Sequence, residues 1–123
     1  MPNRILVVED SRTQAMRIRL ELLRHGLEVE VATDGPSGLA AAQKNLPTAI
    51  VLDIDLPGLN GYGVCRALKE DRRTANIPIV MLTHYDDAQK ALEGLEIGAI
   101  DYIPKDSFAE HNLVESLRQL GVL

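Results

Sequence analysis

The sequence predicts an α/β domain built on a doubly wound, five-stranded parallel sheet of order 2-1-3-4-5 with five covering helices. Apolar, β-branched runs alternate with segments of helical periodicity from end to end, which is the rhythm of repeated βαβ units. The runs Ile5 to Val8, Ile50 to Leu52 and Ile79 to Leu82 are apolar on successive residues. Strands covered by helices on both faces read that way, so these three are expected to be central. No long unstructured gap separates the elements. With 123 residues, 46% hydrophobic and 25% charged, the chain is expected to form one domain over 1-123.

The elements follow in order as RILVVE, SRTQAMRIRLELLRH, VEVAT, PSGLAAAQKN, AIVLDI, YGVCRALKED, IPIVMLT, DAQKALEGLEI, DYIPK and SFAEHNLVESLRQL. Stripes at helical spacing are expected to face the sheet: Met16, Leu20 and Leu23; Leu39, Ala42 and Leu46; Ala88, Leu92 and Leu95; Leu113, Leu117 and Leu120. Ser11 with Gln14 and Ser107 with Glu110 have capping-box spacing, and Asp86 with Gln89 is a looser version. Pro36 suits a first helical turn, where its missing N–H costs nothing. His25 is expected at a helix end, His84 in a loop and His111 on a solvated helix face.

The single cysteine, Cys65, excludes an internal disulfide framework and is expected to pack against the sheet. The start MPNRILVVEDS is neither a signal peptide nor a spanning segment, so a cytoplasmic location without membrane insertion is expected. Thirteen basic against eighteen acidic residues give a net charge of −5, which opposes nonspecific attraction to DNA or anionic lipid. No direct nucleic-acid role is expected.

In such a sheet, ligands bind beyond the carboxyl ends of the strands, in the crevice between the first and third. The first strand ends in Glu9 and Asp10, and the third in Asp53 with Asp55 close behind. Carboxylates crowded together repel strongly unless a cation neutralises them. An all-oxygen ligand set points to a hard ion, and magnesium fits best because it takes few protein carboxylates and keeps several waters. The fourth strand ends at Thr83 and the fifth at Lys105, adding a hydroxyl and an ammonium to the same rim. A cation, a carboxylate nucleophile and an opposing positive charge are the parts of a phosphoryl-transfer site. Asp53, central in the array, is the best nucleophile.

The segments ILVVEDS, IVLDIDLPGLNGYGVCRALK, IPIVMLT and GAIDYIPK resemble the receiver domain of two-component response regulators, over essentially the whole chain. The resemblance implies a flavodoxin-like fold and a signalling phosphoacceptor rather than a turnover enzyme, of the stand-alone, chemotaxis-regulator-like kind. Asp53 would be the phosphoacceptor, Asp10 a direct magnesium ligand, Glu9 an outer-sphere acid, and the backbone carbonyl of Asp55 a further ligand. Thr83 and Lys105 would contact the phosphoryl group and Tyr102 would be the switch aromatic, while Pro57, Gly58 and Gly61 match the loop after the acceptor. The donor would be a sensor histidine kinase or a histidine phosphotransfer protein. The readout would be a downstream protein bound through the fourth helix, fifth strand and fifth helix, a face compatible with homodimerisation. Eighteen residues follow Lys105, enough for one helix, so no output domain is expected.

The chain departs from the family pattern in three places. Asp106 replaces the proline that usually follows the lysine, which predicts either a trans bond there or a strained one that the site must hold, because a cis bond before a non-proline residue costs about 2.5–4 kcal/mol. His84 and Tyr85 put bulk after Thr83, and Asp55 adds a charge, so these three are expected to modulate access to Asp53. Two other functions compete. A phosphorylation-independent scaffold or dimerisation receiver is one. The other is an aspartate-nucleophile phosphohydrolase using Asp53 and Asp55, disfavoured because that pair normally lies on a first strand.

Overall fold

The computed structural model describes residues 3–84 and 88–123. The elements run β1 (Arg4–Val8), α1 (Arg12–Arg24), β2 (Glu28–Ala32), α2 (Gly35–Asn45), β3 (Ala49–Asp53), α3 (Gly61–Glu70), β4 (Ile79–Thr83), α4 (Ala88–Ile97), β5 (Asp101–Pro104) and α5 (Ala109–Gln119). All strand pairs are parallel, and the sheet order is β2-β1-β3-β4-β5. The predicted architecture is the observed one. Every residue of β3 and β4 is buried, as expected of central strands.

Successive strand residues serve opposite faces of the sheet. Ile5, Val7, Val51, Val80, Leu82 and Ile103 join Ile18 and Leu22 of α1 and Leu113 and Leu117 of α5. Leu6, Val8, Ile50, Leu52, Ile79 and Met81 meet Ala42 of α2 and Val64, Cys65 and Leu68 of α3. Each fully buried aliphatic side chain stabilises the fold by roughly 1.5–3 kcal/mol relative to exposure. Cys65 is a free, buried thiol whose pKa is pushed up by that burial.

The helix starts are held by side chains. The Ser11 hydroxyl accepts from Gln14 N at 3.3 Å, Asp34 Oδ1 from Ser37 N at 2.7 Å, and Asn60 Oδ1 from Gly63 N at 3.0 Å. Pro36 occupies the first turn of α2, and His25 closes α1.

Three expectations are corrected. The helix after Lys105 begins at Ala109 with Phe108 as its cap residue, and Ser107 makes no cap. Asp106 makes the turn instead, its Oδ1 accepting from Phe108 N at 2.8 Å and so delaying the helix. Met16, Leu20 and Leu23 do not face the sheet but are 61%, 53% and 40% exposed, because Ala15, Ile18 and Leu22 take the inner side of α1. Leu92 and Leu95 likewise point outward from α4, where Gly94 is buried, and Leu46 is exposed at the end of α2. Asp86, with its expected cap on Gln89, lies outside the described residues.

Close backbone approach fixes the chain after β3. Gly61 N donates to Ile54 O at 2.9 Å, and a Cβ at Gly61 would strike the Asp53 carbonyl oxygen and come within 2.6 Å of Ile54 Cα. The backbone cannot step aside without moving Asp53. Gly61→Ala is therefore expected to destabilise the fold by about 1–3 kcal/mol, read as a lowered midpoint in urea with unchanged m-value.

Candidate functional site

The parallel register brings the carboxyl ends of four strands to one rim, with Val8 opposite Leu52, Asp53 opposite Leu82, and Thr83 opposite Pro104. Glu9 N donates to Ala32 O at 2.9 Å, continuing the β1–β2 ladder by one residue. Lys105 N donates to Thr83 O at 2.6 Å, extending the β4–β5 ladder in the same way. Each extension sets one charged side chain over the end of the sheet.

Those side chains converge. Lys105 Nζ donates to Glu9 Oε1 at 3.0 Å, to Glu9 Oε2 at 2.8 Å and to Asp53 Oδ2 at 2.8 Å. Asp53 Oδ1 accepts from Asp55 N at 3.1 Å, so both Asp53 oxygens are engaged. The side chains of Glu9, Asp53 and Lys105 are only 1%, 2% and 7% exposed, which makes this a desolvated cluster with one ammonium between two carboxyl groups. Among the described residues, carboxylate oxygens of Glu9, Asp10 and Asp53 lie within 4.8 Å of one another.

Burial holds the Glu9 carboxyl up at about 7, and its contact with Asp53 adds to this against the pull of Lys105. Burial also disfavours the Lys105 ammonium, but its bonds to Asp53 and Glu9 outweigh that and hold its pKa above the usual lysine value. The two directions agree with one cation serving two acids, which can compensate only part of their charge.

This donor set fits a hard divalent cation. It is all oxygen, it carries more negative charge than Lys105 balances, and Asp10 is exposed, leaving a side where water can complete a shell. Asp55 is exposed beside it, contributing its backbone N–H to Asp53.

The structure thus gathers Glu9, Asp10, Asp53 and Lys105, with buried Thr83 at the same rim. Tyr102 is half-buried two residues before the end of β5, opposite Met81 and outside the carboxylate cluster. His84 is exposed, and Tyr85 lies outside the described residues. No peptide bond among the described residues is cis, so Lys105–Asp106 is trans, the first of the two expected alternatives. Sequence reasoning missed the groove of about 590 Å³ between α1 and the start of α5, which Gln14, Arg17, Lys105 and Glu110 help to line. Its signal was present, since α1 follows Asp10 and α5 follows Lys105, but only the phase of both helices identifies the lining.

A raised acid pKa means that the folded state holds the proton more tightly than the unfolded chain. Between the ordinary value of 4.5 and about 7, Glu9 therefore costs stability as pH rises. Without divalent cations, the stability of the protein relative to Glu9→Gln is expected to decline across that window. Urea titrations of both at successive pH values measure it, and a flat or rising difference contradicts the assignment.

Comparison with known proteins agrees with this geometry. Residues 5–118 match the family described as the response regulator receiver domain. The response regulator PleD of Caulobacter vibrioides is 42% identical over 105 residues, covering 85% of this chain and 23% of PleD. A crystal structure of a putative response regulator from Chloroflexus aurantiacus superposes with a TM-score of 0.92 at 36% identity, covering 98% of each chain. The chemotaxis response regulator CheY4 of Vibrio cholerae superposes with a TM-score of 0.90 at 31% identity over the whole of both chains. The chain spans from about a quarter to about half the length of the curated relatives it matches. No described helix is long and apolar enough to cross a membrane. Both the sequence match and the fold place this chain in the response regulator receiver domain family of two-component systems.

Proposed function

We propose that Asp53 accepts a phosphoryl group from a phosphohistidine on a sensor kinase or phosphotransfer protein, with magnesium held by Asp10 and Asp53, the backbone carbonyl of Asp55, and Glu9 behind them. The observation that carries this reading is the placement of Asp53 between the Asp55 N–H and the Lys105 ammonium, at the centre of the acid cluster. In the transfer, the N–P bond of the donor breaks as an Asp53 oxygen forms the new O–P bond, leaving neutral imidazole once a proton is supplied. Bound magnesium would offset charge on the transferring group.

The chain's own residues do the rest. Lys105 swings its contact from the Asp53 carboxylate to a phosphoryl oxygen while its second bond, to Glu9, keeps it over the site. Thr83 donates its hydroxyl from the end of β4. The new group carries about 1.5–2 negative charges at neutral pH, and drawing Thr83 toward it makes room for the Tyr102 ring to turn inward. The face formed by α4, β5 and α5 then changes its preference for a downstream protein, a population shift between two packings. A receiver that signals by protein contact is the form proposed for this chain. The exposed Asp55 lends no support to a phosphohydrolase in which it would serve as acid or base.

Incubation with magnesium and a small phosphodonor is expected to phosphorylate the protein and shift the NMR signals around Tyr102, and Asp53→Asn is expected to abolish both effects. An unresponsive wild type contradicts the switch. Lys105→Ala is expected to slow phosphorylation about 100-fold through loss of one preorganised cation. If His84 restricts water at the acceptor, His84→Ala loses the phosphoryl group faster than wild type. An equal or slower loss removes His84 from that role.

A further inference from the structure

Helix α1 carries two apolar stripes, and only one is used by the core. Ala15, Ile18 and Leu22 are buried, whereas Met16, Leu20 and Leu23 form an exposed ridge at i, i+4 and i+7. Exposed arginines flank it. Arg12 and Arg19 border a hollow of about 240 Å³ floored by Ala15, Met16 and Val31 at the sheet edge, while Arg17 lies on the side toward α5. None of these three arginines has an ion-pair partner among the described residues. A contiguous apolar ridge rimmed by charge is the signature of an interaction surface.

The complementary surface lies on the same chain. α4 exposes Leu92 and Leu95, 56% and 44% accessible, beside Glu93 and Glu96, which are also exposed and without an ion-pair partner among the described residues. α1 packs on one layer of the sheet and α4 on the other, so the two ridges cannot meet within one molecule.

We propose that the chain self-associates head to tail, the α1 ridge of one copy packing on the α4 ridge of the next with arginines against glutamates. Such a contact joins unlike surfaces, so each pairing leaves one α1 and one α4 ridge free and growth does not stop at two. Helices of 13 and 10 residues are about 20 and 15 Å long at the usual rise, so the contact is small, weak and sensitive to salt. An anionic lipid surface is the competing occupant of the α1 ridge, disfavoured by the net charge of −5. Asp53 lies in neither ridge, while the α4 ridge belongs to the face whose preference the proposed phosphorylation changes.

Sedimentation of the full chain at rising concentration is expected to show a weight-average mass passing beyond two chains at low salt and falling back at high salt. Arg19→Glu and Glu96→Arg, both on exposed positions, are each expected to abolish this while leaving the thermal midpoint near wild type. Mixed together, the two variants match at both contacts, native ridge on native ridge and reversed ridge on reversed ridge, and are expected to restore open association in which the two variants alternate. The double variant, with both charges reversed, is expected to regain open association. A wild type that stays monomeric overturns the proposal, including one that instead cosediments with phosphatidylserine vesicles. So does association indifferent to either variant, or a mixture that stays monomeric.

Discussion

The ammonium of Lys105, wedged between Glu9 and Asp53, is the interaction around which the rest of this molecule is arranged. Two carboxyl groups this deeply buried are expensive to desolvate, and a buried pair returns that cost only when geometry and remaining hydrogen bonds are good. The sheet supplies the geometry. Glu9 and Lys105 each extend a parallel ladder by one residue, while Asp53 is fixed from the other side by the Asp55 N–H and the close packing of Gly61. A slip of one residue in the β1–β3 or β4–β5 register would turn these side chains to the other face and break the cluster. Strand register and site chemistry are therefore one constraint.

One lysine does not balance the acids it touches. Asp10 adds a third carboxylate within reach, and burial, reinforced by the contact with Asp53, lifts Glu9 to about 7, so that keeping a proton there relieves part of the excess. A divalent cation held by Asp10 and Asp53 would relieve it differently, by adding positive charge on the side where Asp10 meets solvent. Proton and cation are thus alternative answers to the same electrostatic problem. Receiver domains, as a family, bind a divalent metal in their acidic pocket, and the excess of acid here suits that chemistry.

The order of elements, the central strands and all four clustered residues were legible in the sequence because they sit at strand ends, where a parallel sheet leaves little freedom. The helix faces were not. Periodicity finds a stripe on α1 but cannot choose between Ala15, Ile18 and Leu22 and the bulkier Met16, Leu20 and Leu23; only the depth available beneath the helix makes the choice. On α4, Gly94 is inward because a Cβ there would come within 2.7 Å of Met81 Sδ, a matter of clearance that no hydrophobicity pattern records. At α5, the Ser107 capping spacing was real but lost to Asp106, whose carboxylate took the Phe108 N–H first. Two local solutions competed for one turn, and only the structure shows which one holds it.

The site and the outward face of α4 share β4. Met81 supports α4 at Gly94, Thr83 ends the same strand at the acid cluster, and the Tyr62 hydroxyl donates to Lys90 O at 3.1 Å, tying α3 to the first turns of α4. A displacement of Thr83 toward a phosphoryl group would act on a strand whose next inward-facing residue bears α4. Coupling between sites is reciprocal in free energy, so a partner that prefers one seating of α4 also alters the affinity of the site for whatever favours that seating. The exposed Leu92 and Leu95 belong to the helix that this strand supports. If they bind a second copy, association and phosphoryl occupancy become linked quantities rather than separate properties, with a sign fixed by which seating of α4 the second copy prefers.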